Sequence, residues 1–499
     1  MILYTFPLLM VLAFLLLTLL LGLYVSKKEI TYREYAVGNK RFHTTTLVFT
    51  VLATTFGGGI IMSGVPNIYA IGMKFIVFSF IMALVFYTIS LLGLRMGAFM
   101  KHFSIAETIG SIYGKYPRAI AAVLGTCLSI AVVTIQINVM SFAIGMCIDS
   151  INPRTLTVLA TLVLIAYAML GGVRAIAITD VLQCITFIVI MALLIKFLFI
   201  KTGKSFLEVV LLLQQQEKFQ FSSFFQVNRN LLMLVLNGLW LAFLLPIPAI
   251  QRVYTASSPI QAYKIFLRVT LFSIIIIGGV VSISLLIFIK NPTLLQTEIW
   301  PYILADMSPA YKGCIVICLL GMTMSTADSN LHAVSILVSH DIVECIRGIK
   351  VASHIHQLRL AKLTVLVTGL LAMIAAVYYP DIFQLCIYIN SYIAVAFGDT
   401  VIPPFILAIF GFRGSSRTAL IGMAVGILFD VAWDQWVKPE IEISAGCLPM
   451  VANGLAMMAA HYLLPQPEGK GWIGKNDQQK RMEQLIRAFK RYKKNIDLR

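Results

Sequence analysis

Charged residues are scarce in this sequence. Asp, Glu, Lys and Arg make up 12% of its 499 residues, whereas a soluble globular chain carries about 25%. Hydrophobic residues account for 59%, and the mean hydropathy is +0.89. A soluble chain of this length would need several domains, each with a charged surface. The scarcity excludes an ordinary soluble protein and predicts an all-α membrane protein in which one helical bundle holds the chain.

Cysteine frameworks and catalytic motifs are also missing. The eight cysteines are scattered, mostly in apolar runs, and their spacing fits neither a set of disulfides nor a zinc site. We find no HExxH, no GxSxG and no pair of acids near a catalytic histidine. We therefore predict that the protein is not an enzyme and uses no cofactor. His332 stands alone in a polar helix, and we interpret it as a packed, hydrogen-bonding side chain.

The first apolar run also has few features of a cleavable leader. The first apolar run, Phe6 to Tyr24, is long enough to cross a bilayer. It has neither a basic n-region nor a small-residue cleavage site, so we interpret it as a retained span. At about 20 apolar residues per crossing, the sequence predicts about thirteen spans. These are residues 5–25, 46–69, 75–95, 118–147, 154–171, 176–200, 231–253, 267–289, 313–339, 362–379, 383–410, 416–434 and 444–464.

Basic residues are distributed unevenly between the predicted loops. Lys and Arg stay on the cytoplasmic side of a membrane protein. With the N-terminus outside, most of the 39 basic residues fall in cytoplasmic segments or in a basic cytoplasmic tail, 466–499. Residues 1–465 then form the transmembrane domain of a multi-pass protein in the plasma (cell inner) membrane. The net charge of +17 comes from these basic cytoplasmic segments, which lie near the anionic lipid of the bilayer. It indicates no nucleic-acid partner.

Two of the predicted spans contain residues that interrupt helices. The second span carries three consecutive glycines, Gly57 to Gly59, which make a helix costly. The seventh carries Pro246 and Pro248, which lack amide donors. These spans would begin two inverted five-helix repeats, 46–200 and 231–410, and breaks at matching positions of two halves are typical of transporter binding sites. The alternative is close helix packing through small residues.

The ninth span carries the most polar deep segment. Six of the eight residues from Thr323 to Asn330 are polar, which is more than hydroxyls bonding back to their own helix explain. Ser325 and Thr326, facing unwound carbonyls near Gly57, would supply several oxygen ligands to a small cation such as Na⁺. We predict a sodium site between these two spans.

Two acidic residues have structural or gating interpretations. Asp328 is costly in lipid without a partner, and as a structural anchor near the cytoplasmic end it would bond to the backbone or to Arg174. The tight inner turn at Gly171 is followed by Thr179 and Asp180, which would cap or gate the sixth span. The alternative there is a helix cap with a positive-inside arginine.

Several motifs together resemble the sodium:solute symporters, the family of sodium/proline, sodium/pantothenate and sodium/glucose transporters. The similarity covers roughly residues 5–465. The matching stretches are Gly171-Gly172 with Thr179-Asp180 and Gln183, Met324 to Ser329 (MSTADS), Gln251-Arg252 with Ala256, Gly38, and Gly64-Val65-Pro66. The resemblance implies a core of two inverted repeats with broken second and seventh helices.

The resemblance also implies which residues bind. Sodium would be held by carbonyls near Thr54, Gly57 and Met322 together with the hydroxyls of Ser325 and Thr326. The solute would lie beside the break, and its candidate contacts are Gln136, Asn237, Trp240 and the backbone groups of Gly58 and Gly59. Sodium/proline symporters carry an aspartate where the alignment puts Phe56 and aromatic residues at Gln136 and Leu239, which argues against proline itself.

The sequence thus predicts a sodium-coupled symporter that imports a small organic solute by alternating access, with an amino acid such as proline or a carboxylate as solute. The alternatives are a proton-coupled or uncoupled transporter and a solute-sensing membrane protein. A full sensor would need a further signalling domain, and a tail of about 30 residues is too short for one.

Overall fold

The structure is a computed structural model of the chain. It describes residues 2–26, 31–147, 152–220, 228–305, 307–347, 354–474, 483 and 486–487. A single pair of short antiparallel strands occurs in this part, where β1 (Phe412–Arg413) pairs with β2 (Gly471–Trp472). The pairing fixes the start of the predicted tail against the bundle, and most of the remaining tail lies outside the described residues.

The rest of the described chain is built from helices. They are α1 (Ile2–Ser26), α2 (Tyr32–Val37), α3 (Thr44–Thr55), α4 (Gly58–Ile71), α5 (Met73–Arg95), α6 (Ile105–Tyr113), α7 (Lys115–Gly145), α8 (Pro153–Leu170), α9 (Val173–Thr202), α10 (Phe206–Gln214), α11 (Asn228–Phe243), α12 (Ile247–Thr255), α13 (Pro259–Lys290), α14 (Ile299–Ala305), α15 (Pro309–Ile336), α16 (Val343–Arg347), α17 (His354–Tyr378), α18 (Ile382–Tyr388), α19 (Val395–Phe410), α20 (Ser416–Ala432), α21 (Lys438–Ile441) and α22 (Leu448–Leu463).

Three π-helical segments continue these helices without interruption. Leu337–Ile342 joins α15 to α16, Ile389–Ala394 joins α18 to α19, and Trp433–Val437 joins α20 to α21. The ninth, eleventh and twelfth predicted spans therefore extend beyond a single α-helix of the structure.

The number of membrane crossings is only partly fixed by the structure. Nine described helices are long and apolar enough to span, or eleven if each of two bent pairs counts as one span. The predicted spans 154–171 and 444–464 correspond to the shorter helices α8 and α22. The multi-pass helical architecture is confirmed, and the total of thirteen stays a prediction.

Both helices predicted to be interrupted are broken. α3 and α4 meet at an angle of 58°, and α11 and α12 meet at 40°. The first break falls at Phe56 and Gly57, directly before the remaining glycines, and the second spans residues 244–246, ending at Pro246. Backbone that is cheap to unwind and a missing amide donor are the physical causes of these bends.

The polar helix α15 is the axis of the bundle. Its side chains are buried on every side from Leu319 to Ile336, and α1, α3, α7, α9 and α17 pack against it. Polar residues can occupy this position because they face protein and not lipid. His332 is packed as predicted, with its ring nitrogens bonded to Gln251 and to the carbonyl of Tyr35.

Asn453 links α22 to a part of α19 in which two backbone carbonyls lack their helical hydrogen bonds. Pro403 and Pro404 lack N–H groups, so the carbonyls of Asp399 and Thr400, four residues earlier, lose their helical donors. The side-chain amide of Asn453 donates to both carbonyls, at 2.6 and 3.3 Å. The two adjacent prolines therefore create acceptors that a neighbouring helix satisfies.

Replacing Asn453 by leucine is expected to lower the free energy of unfolding by about 1–3 kcal/mol, because two buried carbonyls lose their donor. Thermal unfolding of the purified protein in detergent would measure it. A double-mutant cycle with P403A/P404A, which returns amide donors to α19, should show a smaller cost of N453L in that background. An equal cost in both backgrounds would show that Asn453 does not act through these carbonyls.

Candidate functional site

Backbone carbonyls at the break between α3 and α4 face the side chains of α15. α3 ends at Thr55, so its last carbonyls have no following helical N–H. The hydroxyl oxygen of Thr326 lies 3.0 Å from the carbonyl oxygen of Thr54 and 3.0 Å from that of Met322. One hydroxyl and two carbonyl oxygens therefore meet at the break, and such a group of oxygens can hold a small cation.

Glycine is required at the break because neighbouring side chains leave no room for a Cβ. A Cβ added at Gly57 would lie 2.5 Å from Thr326 Oγ1 and 3.1 Å from Gln136 Oε1. One added at Gly59 would lie 2.6 Å from Ile135 Cγ2, with Gln136 Nε2 at 3.4 Å. The amide of Gln136 thus lies beside the first turn of α4, and within the described structure its Oε1 is buried without a hydrogen-bond partner.

The hydroxyl of Ser325 bonds to a carboxylate instead of the broken backbone. It donates to Asp180 Oδ1 at 2.6 Å, and Asp180 Oδ2 lies 3.7 Å from Arg252 Nη2. Ser329 links the buried group formed by Ser325, Asp180 and Arg252 to the break. Its Oγ lies 2.9 Å from Thr54 Oγ1 and accepts a 2.9 Å hydrogen bond from Arg252 Nη2.

Asp328 belongs to the same buried group, so its predicted pairing with Arg174 is wrong. The cation that acts on its carboxylate is Arg252, and the side chain of Tyr167 and the backbone of Ser329 also interact with it. Asp180 does not cap α9 either, because that helix begins at Val173 with Gly172 at the cap position.

The buried group contains two carboxyl groups and only one guanidinium. Arg252 is 1% exposed, and Asp180 and Asp328 are fully buried. Two carboxylates act on one guanidinium here, so the group is a net anion when all three are ionised. A buried net charge is costly unless a counter-ion offsets it. Ser329 connects the group to the hydroxyl of Thr54, and the carbonyl of Thr54 in turn lies beside the hydroxyl of Thr326.

Two predicted solute contacts bond to other parts of the bundle. Asn237 Oδ1 accepts from Ser444 Oγ at 2.9 Å, and Trp240 Nε1 donates to Asp399 Oδ1 at 3.2 Å. Both residues lie on α11, upstream of Pro246. The structure therefore brings Gly58, Gly59 and Gln136 together, and it gives Asn237 and Trp240 partners outside that group.

Sequence analysis missed the roles of Arg252 and Ser329. Arg252 was noticed only within a short motif, and Ser329 only as one of several polar residues in α15. The signal that could have found Arg252 is physical, because a carboxylate such as Asp328 at membrane depth needs a cation. The broken helix α12 carries an arginine at that depth, while Arg174 lies at the start of its helix.

A second charged network closes the other end of the same helices. Arg118 on α7 pairs with Asp341 at 2.8 Å and with Glu344 at 3.1 Å. Ser104 donates to the second oxygen of Asp341 at 2.6 Å. These bonds fasten α7 and the loop before α6 to the π-helical end of α15, at the side that the loop charges predict to be cytoplasmic.

His340 extends this network to α6. Its ring lies 3.1 Å from Glu344 and 3.3 Å from Glu107. Burial raises the pKa of Glu107, but its hydrogen bonds with His340 and with the backbone N–H of Phe103 outweigh burial and leave that pKa below its ordinary value. Glu107 is therefore ionised at neutral pH and able to hold His340.

Comparison of the sequence with known proteins identifies a family and several similar proteins. Residues 35–426 match the model of the sodium:solute symporter family. A sodium/sialic acid symporter of Proteus mirabilis is 24% identical over 431 residues, covering 82% of this chain and 86% of that protein. A sodium/proline symporter of Staphylococcus aureus is 30% identical over 140 residues, covering 27% of this chain and 26% of that protein.

A solved structure has the same fold. It is a Na⁺-coupled sialic acid symporter in a substrate-bound outward-open state, and it superposes with a TM-score of 0.83. The two chains are 20% identical, and the match covers 94% of this chain and 99% of that one. The bent helix pairs and the central polar helix described above thus belong to a transporter fold.

Proposed function

Because the chain belongs to the sodium:solute symporter family, a family of membrane transporters, we propose that it is a sodium-coupled symporter that imports a small carboxylated solute by alternating access. A sialic acid is the solute to test first. The observation that carries the proposal is the meeting of the Thr326 hydroxyl with the carbonyl oxygens of Thr54 and Met322 at the break.

Sodium coupling is supported by the charge around these oxygens. Unwound carbonyls and hydroxyls suit Na⁺ without burying a full countercharge at the ligand positions. The neighbouring pair of carboxylates, Asp180 and Asp328, acts on a single guanidinium, and a cation at the break offsets the excess. Ser325 joins the sodium ligands when its hydroxyl turns from Asp180 towards the break.

Alternating access is supported by the positions of the bends and of the charged network. We infer two inverted repeats, 46–200 and 231–410, that begin at the two bent pairs and move against each other. The N-terminus lies outside and the tail is cytoplasmic in this proposal. The bonds of Arg118 and His340 then form the cytoplasmic gate, since opening that end separates α6 and α7 from the end of α15.

A carboxylated solute is supported by the start of α4. Gly57 caps that helix and has no side chain to bond its first amides, and the positive end of the helix dipole attracts a carboxylate. The unsatisfied Oε1 of Gln136 accepts from a solute hydroxyl or amide. A sialic acid carries all of these groups, and the sialic acid relative matches most of the chain, whereas the proline relative matches about a quarter of it.

Uptake by purified protein in proteoliposomes tests the proposal. Labelled sialic acid, proline and a neutral sugar are compared with and without an inward sodium gradient. We expect sialic acid to accumulate only with the gradient. Accumulation of proline alone would contradict the proposed solute. Equal accumulation driven by a proton gradient without sodium would contradict the proposed coupling ion.

A further inference from the structure

A second buried polar group lies away from the break, where α19 packs against α11, α20 and α22. Asp399 of α19 is 1% exposed. Its Oδ1 accepts the indole N–H of Trp240 at 3.2 Å, and its Oδ2 is buried without a hydrogen-bond partner in the described structure. The side-chain amide of Asn453 bonds to the backbone oxygen of Asp399 and not to its carboxylate. One carboxylate oxygen of Asp399 is thus left unsatisfied inside the bundle.

Among the described residues, the charged group that acts on Asp399 adds repulsion and supplies no countercharge. From α20 the carboxylate of Asp430 acts on it, and from α11 only the neutral indole of Trp240 does. At the start of α22 the thiol of Cys447 faces it. Asp430 in turn interacts with two groups farther along α20 and α21, which are Asp434 and Lys438.

We propose that Asp399 is a proton-binding site, separate from the cation site at the break, and that its protonation acts on α11 through Trp240. A buried carboxylate with one neutral donor and a second carboxylate nearby is costly as an anion. A proton taken from water onto Oδ2 removes the charge and needs no further ligands. A larger cation would need several oxygens converging on it.

Trp240 connects Asp399 to one of the two bent helix pairs. Trp240 lies on the first half of the second bent pair, six residues before Pro246. Its bond to Asp399 is charge-assisted when the carboxylate is ionised and weaker when it is neutral. Protonation therefore changes how firmly α11 is held against α19, independently of any sodium at the break.

The fluorescence of Trp240 provides a test that needs neither solute nor transport. The purified full-length protein is titrated from about pH 4 to 9, a range that covers carboxyl and histidine titration, in choline buffer. We expect a one-proton change in tryptophan emission that is lost in Asp399→Asn, which keeps the acceptor for the indole. It should also be lost in Trp240→Phe, which removes the reporter.

Asp381→Asn is the matched control, because this exposed aspartate caps α18 by accepting two backbone N–H groups and asparagine caps equally well. It should keep the emission change. Persistence of the change in Asp399→Asn, or its absence from the unmodified protein, would overturn the proposal. An emission change that follows Na⁺ concentration at fixed pH would overturn the assignment to a proton, and neither result would touch sodium-dependent uptake.

Discussion

Replacing Thr326 by valine is expected to raise the sodium concentration that half-saturates uptake by about 10- to 100-fold. Valine keeps the volume of the side chain and removes the hydroxyl oxygen that meets the carbonyls of Thr54 and Met322. Loss of one interaction with a charged partner costs about 1.5–3 kcal/mol, and 1.4 kcal/mol corresponds to a factor of ten in affinity. Initial uptake rates at graded sodium concentrations in proteoliposomes give the measurement.

Thr323 offers a matched control one turn earlier on α15. In the described part of the chain, its hydroxyl bonds to two carbonyls of its own helix, those of Leu319 and Leu320. Thr323→Val should therefore leave the half-saturating sodium concentration unchanged, and Thr326→Ser should stay close to the unmodified protein. If Thr326→Val shifts sodium dependence no more than Thr323→Val does, the hydroxyl is not a sodium ligand.

Replacing Arg252 by methionine is expected to lower the free energy of unfolding by about 3–5 kcal/mol, the usual cost of leaving buried charges without their partner. Methionine fills much of the space of the arginine stem but supplies no charge. Asp180 and Asp328 then lose the cation that acts on both, and Ser329 loses a hydrogen-bond donor. Thermal unfolding in detergent, followed by intrinsic fluorescence, measures the change.

The charge argument predicts partial recovery in a double variant. Arg252→Met combined with Asp180→Asn removes one of the two uncompensated carboxylates, so the pair should be less destabilised than the sum of the single variants. The exposed Arg154 on α8 is the control, and Arg154→Met should change stability by no more than about 0.5 kcal/mol. Strict additivity would mean that Arg252 stabilises the bundle through packing alone.

Local features of the sequence predicted the parts of the fold that depend on local physics. Gly57 to Gly59 make helical backbone costly, and Pro246 removes a donor, so both breaks could be located without knowing any neighbour. The polar run around Thr326 identified α15 as a protein-facing helix for the same kind of reason. The family motifs then identified a transporter, and the family and fold comparisons confirm it.

Pairings between distant residues could not be predicted in this way. Ser325 was expected at the broken backbone, but in the structure its hydroxyl is bonded to Asp180, which lies 145 positions away in the chain. Asp328 was expected to bond to the backbone or to Arg174, as an anchor near the cytoplasmic end. The actual cation, Arg252, reaches the site only because α12 resumes after the second break, and hydropathy contains no information on that geometry.

The polarity of α15 has a consequence for how the protein enters the membrane during synthesis. The most apolar 18-residue window of Pro309–Ile346 has a mean hydropathy of 1.4, and 72% of that window is buried, whereas the corresponding window of Phe6–Val25 has 2.8 and is 22% buried. A charge at the centre of a lone helix costs about 2.5–3.5 kcal/mol at the translocon. α15 is therefore a poor candidate for independent insertion, and its stable insertion depends on neighbours such as α7 and α9 that are synthesised before it.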